Sequence, residues 1–234
     1  MTYTPEQKHV IDCVLSIFET GRVPSPSSYS TCSVLDDGAG ISYGKHQCTD
    51  RAGSLDKVVE RYIKKGGDYA EPLKTYLPQI AANESAKFGS KSAYPSWLVS
   101  LINLLKTAGM DRKMQAAQDE VFDEVYFMPA VNHAKQIGLT KALSLLVVYD
   151  TCIHSGPGGV TNIRNRFAAK SPANGGDEAT WIKEYLNSRR AWLAANPNPL
   201  VQKTVYRMDA LKALVDAGAW DLKTPLVVRG VKIA

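Results

Sequence analysis

Residues 142–153 read Ala-Leu-Ser-Leu-Leu-Val-Val-Tyr-Asp-Thr-Cys-Ile, a helix-length stretch that is apolar on nearly every side. A helix with no polar face must be covered all round, so the chain has to supply enough further helices to bury it. Its longest unbroken run, Ala142 to Tyr149, is about half the 18–20 residues a membrane span needs. It is therefore a core helix. One charge, Asp150, interrupts it, and a carboxylate in such a position requires a partner.

The remaining sequence supplies those helices. Thr4, Pro5 and Gln7 form a capping box with Pro at the first helical position, ahead of the stripe Val10, Ile11, Val14, Leu15, Phe18, and Gly21 ends the helix. Residues 22–53, rich in Pro, Ser and Gly, read as a long loop or small hairpin region with a β-prone piece at Ile41-Ser-Tyr43. Ser54 reads as the cap of a second helix that stops at Gly66-Gly67. Helical periodicity then covers about 69–85, 95–108, 111–135, 140–153, 178–195 and 203–217, with Pro129 kinking or dividing the long segment. The expected fold class is mainly α, with a small β-hairpin element. The expected organisation is a single domain over 1–234, its two α-rich lobes joined by the long helix near 111–135.

A chain of 234 residues, 44% hydrophobic and 22% charged, is neither disordered, collagen-like nor a disulfide-dense mini-protein. The net charge of +5 suits an anionic polymer such as nucleic acid or bacterial cell wall and works against a polycationic substrate. The basic residues are dispersed, which argues against a nucleic-acid partner. Cys13, Cys32, Cys48 and Cys152 show no zinc-finger spacing, and free buried thiols are expected. Cys32 and Cys48 bracket one loop, and a bond between them in an oxidising compartment is left open. The first residues lack the basic and apolar stretches of a signal peptide. We expect synthesis in the cytoplasm and action in the periplasm or outside the cell after signal-independent export.

The informative charges are those on apolar faces. Glu19 lies in the row Ile11, Leu15, Glu19 at the end of the first helix, at the rim of a core, where partial desolvation favours a protonated carboxyl. Two partners for Asp150 are legible. Arg189 shares the stripe Ile182, Tyr185, Leu186, Leu193, and Arg207 flanks Met208, Leu211, Val215. Taken alone, that trio reads as a structural ion network. The segment Leu35 to Gly44 carries a second carboxylate, Asp37, followed by glycines Gly38 and Gly40 that let backbone approach a ligand closely, and Ser42 to hold a water. One desolvated carboxyl and one ionised carboxylate from separate elements make glycoside hydrolysis possible. His46, near that loop, is a candidate substrate contact. None of the four histidines forms a metal-ligand pair, no Gly-x-Ser-x-Gly elbow occurs, and no metal or cofactor is expected.

Several segments in order resemble the family-46 chitosanases of the lysozyme-like superfamily. They are Ala117-Gln-Asp-Glu120, Val125 to Val131, Tyr149-Asp150 with His154 to Gly158, Gly175 to Glu178, Tyr206 to Asp209 and Trp220 to Leu226. The resemblance implies a sugar-binding cleft and an inverting mechanism. It implies Glu19 as general acid, Asp37 as general base, Ser42 in place of a water-positioning Thr, and Asp150, Arg189 and Arg207 as the network supporting the acid. Gly38, Gly40, Tyr43, His46, His154 and Gly156 are the candidate substrate-binding positions. Two positions depart from the family: Ala39 stands where an Arg is usual, and Ser54 where an Asp recognises the glucosamine amine. The stretch Tyr43-Gly-Lys-His-Gln47 also looks like loops of peptidoglycan-cleaving relatives.

The expectation drawn from these departures is a metal-independent β-1,4 glycosidase acting on peptidoglycan, a muramidase of endolysin or antibacterial-effector type with a possible immunity protein as partner. Chitosan is the alternative substrate, and a non-catalytic wall-binding module a more distant one. A monomer, without nucleic-acid or membrane partners, is expected.

Overall fold

The computed structural model describes residues 3–51, 54–90 and 93–234. Helix α1 (Pro5–Thr20) starts as its sequence dictates. Thr4 Oγ1 accepts from the Gln7 amide at 3.2 Å and Gln7 Oε1 accepts from the Thr4 amide at 2.9 Å. Gly21, at φ 75°, closes the other end with its N–H on the Ile17 carbonyl.

The long loop region holds a three-stranded antiparallel sheet, β1 (Cys32–Val34), β2 (Ile41–Tyr43) and β3 (Cys48–Thr49), with β2 in the middle. Positions 52 and 53, the end of that region, lie outside the described residues. Tyr43 pairs with Cys32 on one side and Cys48 on the other. The two thiols are therefore two strand spacings apart, roughly 10 Å, beyond the ~7 Å between Cα atoms that a disulfide spans. The pairing left open by the sequence is excluded: Cys32, Cys48 and Cys152 are buried free thiols, and Cys13 is buried with its Sγ 3.6 Å from His9 Nε2.

Helix α2 (Leu55–Lys64) begins after Ser54, but Ser54 does not cap it. Its hydroxyl turns to β3, accepting from the Thr49 amide at 3.0 Å and donating to the Thr49 carbonyl at 3.3 Å. The helix expected over 69–85 is broken into α3 (Ala70–Lys74), α4 (Leu77–Ala81) and a 3-10 turn, Glu84–Lys87. Pro78 explains the first break, because it removes the N–H that would bond the Lys74 carbonyl, and Asn83, at φ 53°, turns the chain out of the helix between α4 and the 3-10 turn.

Helix α5 (Ser96–Ala108) follows, then α6 (Arg112–Phe122), a π turn (Asp123–Phe127) and α7 (Met128–Ile137). The π turn stands just ahead of Pro129, whose missing N–H leaves the carbonyl four residues earlier without its helical donor. Next come α8 (Ala142–Ser155), α9 (Gly158–Arg164), α10 (Glu178–Ala194), α11 (Pro199–Gln202) and α12 (Tyr206–Asp216). Strands β4 (Leu226–Val228) and β5 (Val231–Ile233) close the chain as a hairpin absent from the sequence reading. Its turn residues Arg229 and Gly230 have φ 51° and 80°, the conformation of a two-residue type I′ turn.

The chain divides into two compact units, Pro24–Glu124 and Met1–Val23 with Val125–Ala234. In the second of these, α8 is packed by α1, α7, α9, α10 and α12, so the all-apolar helix is covered as its composition demands. Every residue from Ala142 to Cys152 is buried. In the other unit, α2 packs on α6 and on α3 and α4, while α5 lies against β1. Among the described residues no helix is long and apolar enough to cross a membrane.

Candidate active site

Asp150 and Arg189 are 0% exposed and Arg207 is 2% exposed. Arg207 places Nε 2.9 Å and Nη2 2.6 Å from Asp150 Oδ1. Arg189 puts Nη1 2.5 Å from Oδ2 and Nη2 3.3 Å from the Asp150 carbonyl. Burial pushes the Asp150 carboxyl up, but the guanidiniums of Arg207 and then Arg189 outweigh it and hold the group well below the usual carboxylate range. Arg189 Nε is left buried without a hydrogen-bond partner.

The network has an outlet. Arg207 Nη1 lies 2.7 Å from Glu19 Oε1, and the Glu19 side chain is 47% exposed. The sequence placed Glu19 at a partly desolvated rim; instead it is half open to solvent and held by a buried cation, because it sits on the last turn of α1. The end of that helix is fixed twice more. Tyr206 Oη donates to the Phe18 carbonyl at 2.6 Å, and the Arg207 guanidinium lies 5.1 Å from the centre of the Phe18 ring.

In the other unit, two adjacent aspartates share the loop between β1 and β2, and the structure treats them differently. Asp36 accepts from both the amide and the hydroxyl of Ser90, each at 2.6 Å. Asp37 is exposed and accepts from the Ala39 amide at 2.9 Å, an Asx turn that leaves its outer oxygen to solvent. Ser42 lies on the central strand, 5% exposed.

Several candidate contacts are placed otherwise than expected. Tyr43 is a core residue: it is 0% exposed, and its hydroxyl donates to the Leu105 carbonyl at 2.8 Å. Gly40, at φ 75°, makes its close approach to protein and not to a ligand, since a Cβ there would meet the Ala86 amide at 2.9 Å. Gly38, at φ 76°, is more open, with Arg51 Nη1 3.6 Å from where its Cβ would be. His46 has its ring stacked on Phe122 at 3.9 Å and its Nε2 2.8 Å from Asp119, so the imidazole is held by its own unit.

His154, near the end of α8, is partly buried, with Nδ1 3.3 Å from the Ser155 hydroxyl. Burial, then Arg189 and Arg207, push it down to about 4, so it is neutral at physiological pH. Gly156 ends α8 at φ 73°, ψ 162°, a region essentially closed to other residues. Beyond it, Ser155, Gly158, Gly159, Asn162, Ile163 and Trp192 line a cavity of about 280 Å³.

Two groups near these residues were not foreseen. Asp119 collects the Tyr29 hydroxyl at 2.7 Å, Lys45 Nζ at 3.0 Å and the His46 ring. Asp50 lies buried behind the Asp37 loop. Both depend on pairings between distant segments, for which local periodicity gives no signal. Among the described residues no group of three or more His, Cys, Asp or Glu is placed to hold a metal ion.

A family model described as glycosyl hydrolase family 46 matches residues 13–226. The chain belongs to glycosyl hydrolase family 46. It is therefore a glycosidase, and its helical body with a small antiparallel sheet is the lysozyme-like fold of that family. It is 31% identical over 238 residues to a chitosanase of Bacillus subtilis (strain 168), covering 96% of this chain and 82% of that protein. The native chitosanase from Bacillus subtilis MY002 matches with a TM-score of 0.80 and 30% identity, covering 97% of this chain and 96% of that one. The family-46 chitosanase of Gynuella sunshinyii, in complex with chitotetraose, matches with a TM-score of 0.79 and 28% identity, covering 99% and 98%.

Proposed function

We propose that this family-46 glycosidase hydrolyses β-1,4 linkages of chitosan with inversion, Glu19 acting as general acid and Asp37 as general base. The observation that carries the reading is the ion relay ending on Glu19, set in a chain similar over nearly its whole length to proteins named chitosanases. The peptidoglycan reading drawn from Ala39 and Ser54, with its antibacterial role and immunity partner, finds no support among these relatives. Chitosan fits them better.

In the proposed reaction Glu19 gives its proton to the leaving glycosidic oxygen as the bond to the anomeric carbon breaks. Asp37 takes a proton from the water that attacks the opposite face, with Ser42 as the hydroxyl that helps hold this water. Arg207 orients the Glu19 carboxyl, while the Asp150 anion behind it offsets the guanidinium charge. Both catalytic side chains reach solvent, as action on a polymer requires.

Incubating the enzyme and its Glu19→Gln variant with chitosan and, separately, with purified peptidoglycan tests this by mass spectrometry of the products. Glucosamine oligomers from the wild type alone are expected. Muropeptides with new reducing ends, and no action on chitosan, would overturn the substrate assignment.

A further inference from the structure

The loop carrying Asp37 is gripped at both ends by a single segment some fifty residues further on. At one end Ser85, on the 3-10 turn Glu84–Lys87 and 1% exposed, accepts the Ile41 amide at 2.7 Å and donates to Asp50 Oδ2. At the other end the Ser90 amide and hydroxyl saturate Asp36, the residue next to Asp37. The Leu35 amide closes the loop on the Gly40 carbonyl at 2.9 Å, and the Arg51 amide reaches the Ala39 carbonyl at 3.4 Å. Gly40 lies so close to the Ala86 backbone that no side chain fits between them.

Asp50 stands behind this clamp, 4% exposed, with Oδ1 buried and without a hydrogen-bond partner. Burial pushes its carboxyl up to about 6. A buried carboxylate that, among the described residues, faces a serine hydroxyl and no cation is costly, and such a group calls for a role. Packing alone would be served as well by an apolar side chain. What Asp50 supplies is a fixed acceptor that sets the Ser85 hydroxyl with its lone pair toward the Ile41 amide. The Ile41 amide is in turn where the loop enters β2.

We propose that Ser85, aligned by Asp50, and Ser90 are positioning residues that fix the aim of Asp37. This deepens the assignment of Asp37 as the base and rests on it. None of the three need touch substrate; their effect passes through the loop backbone.

Ser85→Ala tests the clamp through two readouts, steady-state kinetics on chitosan and amide hydrogen exchange at Ile41. The expected result is a kcat lower by about tenfold or more, since small misplacements of a catalytic group are expensive, with KM within about twofold. Faster exchange at Ile41 should accompany it. Ser90→Ala, at an exposed position where folding is not at stake, should lower kcat in the same way and serves if Ser85→Ala does not fold. Adding either change to Asp37→Asn should cost no further activity. Unchanged kcat in both serine variants, alongside an inactive Asp37→Asn, overturns the clamp and leaves the base assignment standing. So does a kcat loss with unaltered Ile41 exchange. Near-normal turnover by Asp37→Asn overturns the base assignment itself.

Discussion

Arg207 holds Glu19 at 2.7 Å with the same guanidinium that closes on Asp150 at 2.6 Å, so one buried cation bridges the inside of the protein and a half-exposed carboxylate. Removing it acts on both. Arg207→Ala leaves Asp150 with Arg189 alone and should cost about 3–5 kcal/mol, a Tm lower by roughly 6–20 °C for a chain of this size. Asp150→Ala strands two guanidiniums and should cost a similar amount. Arg207→Lys keeps the charge but loses the fork that reaches two acceptors at once, so it should recover part of the stability and little of the activity. Calorimetry on the three variants checks this, and wild-type melting in all of them would contradict the burial of the network.

Glu19→Gln separates chemistry from folding. The side chain is half-exposed and its pairing with Arg207 is the rim of the network, so the neutral amide should leave Tm within a few degrees of wild type. It lacks the transferable proton, and kcat should fall by about 10²–10⁴-fold, the usual worth of a general acid. Circular dichroism melts alongside product assays decide the matter: substantial turnover in a folded Glu19→Gln variant removes the acid assignment.

The network was legible because each of its members breaks a pattern. Asp150 interrupts an apolar helix, and Arg189 occupies a core stripe; a charge in such a place has few explanations. The capping box of α1 was legible for a similar reason, being a local chemical rule carried by Thr4, Pro5 and Gln7. The positions misread are those whose partners lie across strands. Tyr43 stands in a piece that reads as β-prone and as a candidate substrate contact, yet it is buried in the middle of a sheet, flanked by both Cys32 and Cys48. Ser54 had the right position for a cap and spent its hydroxyl on β3. The final hairpin did leave a trace in the run Leu226 to Ile233, where Arg229-Gly230 separates two short β-branched stretches. Strands of three residues are too short for alternation to stand out.

His154 should make the protein less stable as pH falls through the mildly acidic range. In the unfolded chain it takes up a proton near its ordinary 6.5, whereas in the fold burial and the guanidiniums of Arg189 and Arg207 hold it neutral down to about 4. Between those values the unfolded state binds the extra proton, so stability declines from pH 6.5 toward pH 4. His154→Gln cannot titrate and should flatten that decline. Denaturant midpoints at pH 7, 5.5 and 4.5 compare the two proteins. An equal slope in both would show that His154 protonates freely in the fold.

Asp50 has the opposite sign. Its carboxyl is pushed up to about 6 by burial, so in the fold it is ionised at neutral pH against a desolvation cost that the unfolded chain does not bear. Between about 6 and the usual carboxylate value near 4 the folded state binds the extra proton, and this penalty fades as pH falls. Asp50→Asn keeps an oxygen for the Ser85 hydroxyl without the charge. It should therefore raise Tm at pH 7.5 and lose that advantage by pH 4.5, where the wild-type carboxyl is largely protonated. Asp56 is the other carboxylate that bears on the group, and Asp56→Asn should shift the crossover slightly toward lower pH by removing its repulsion. A Tm difference between Asp50→Asn and wild type that stays constant from pH 7.5 to 4.5 would mean that Asp50 titrates as an ordinary solvated carboxylate.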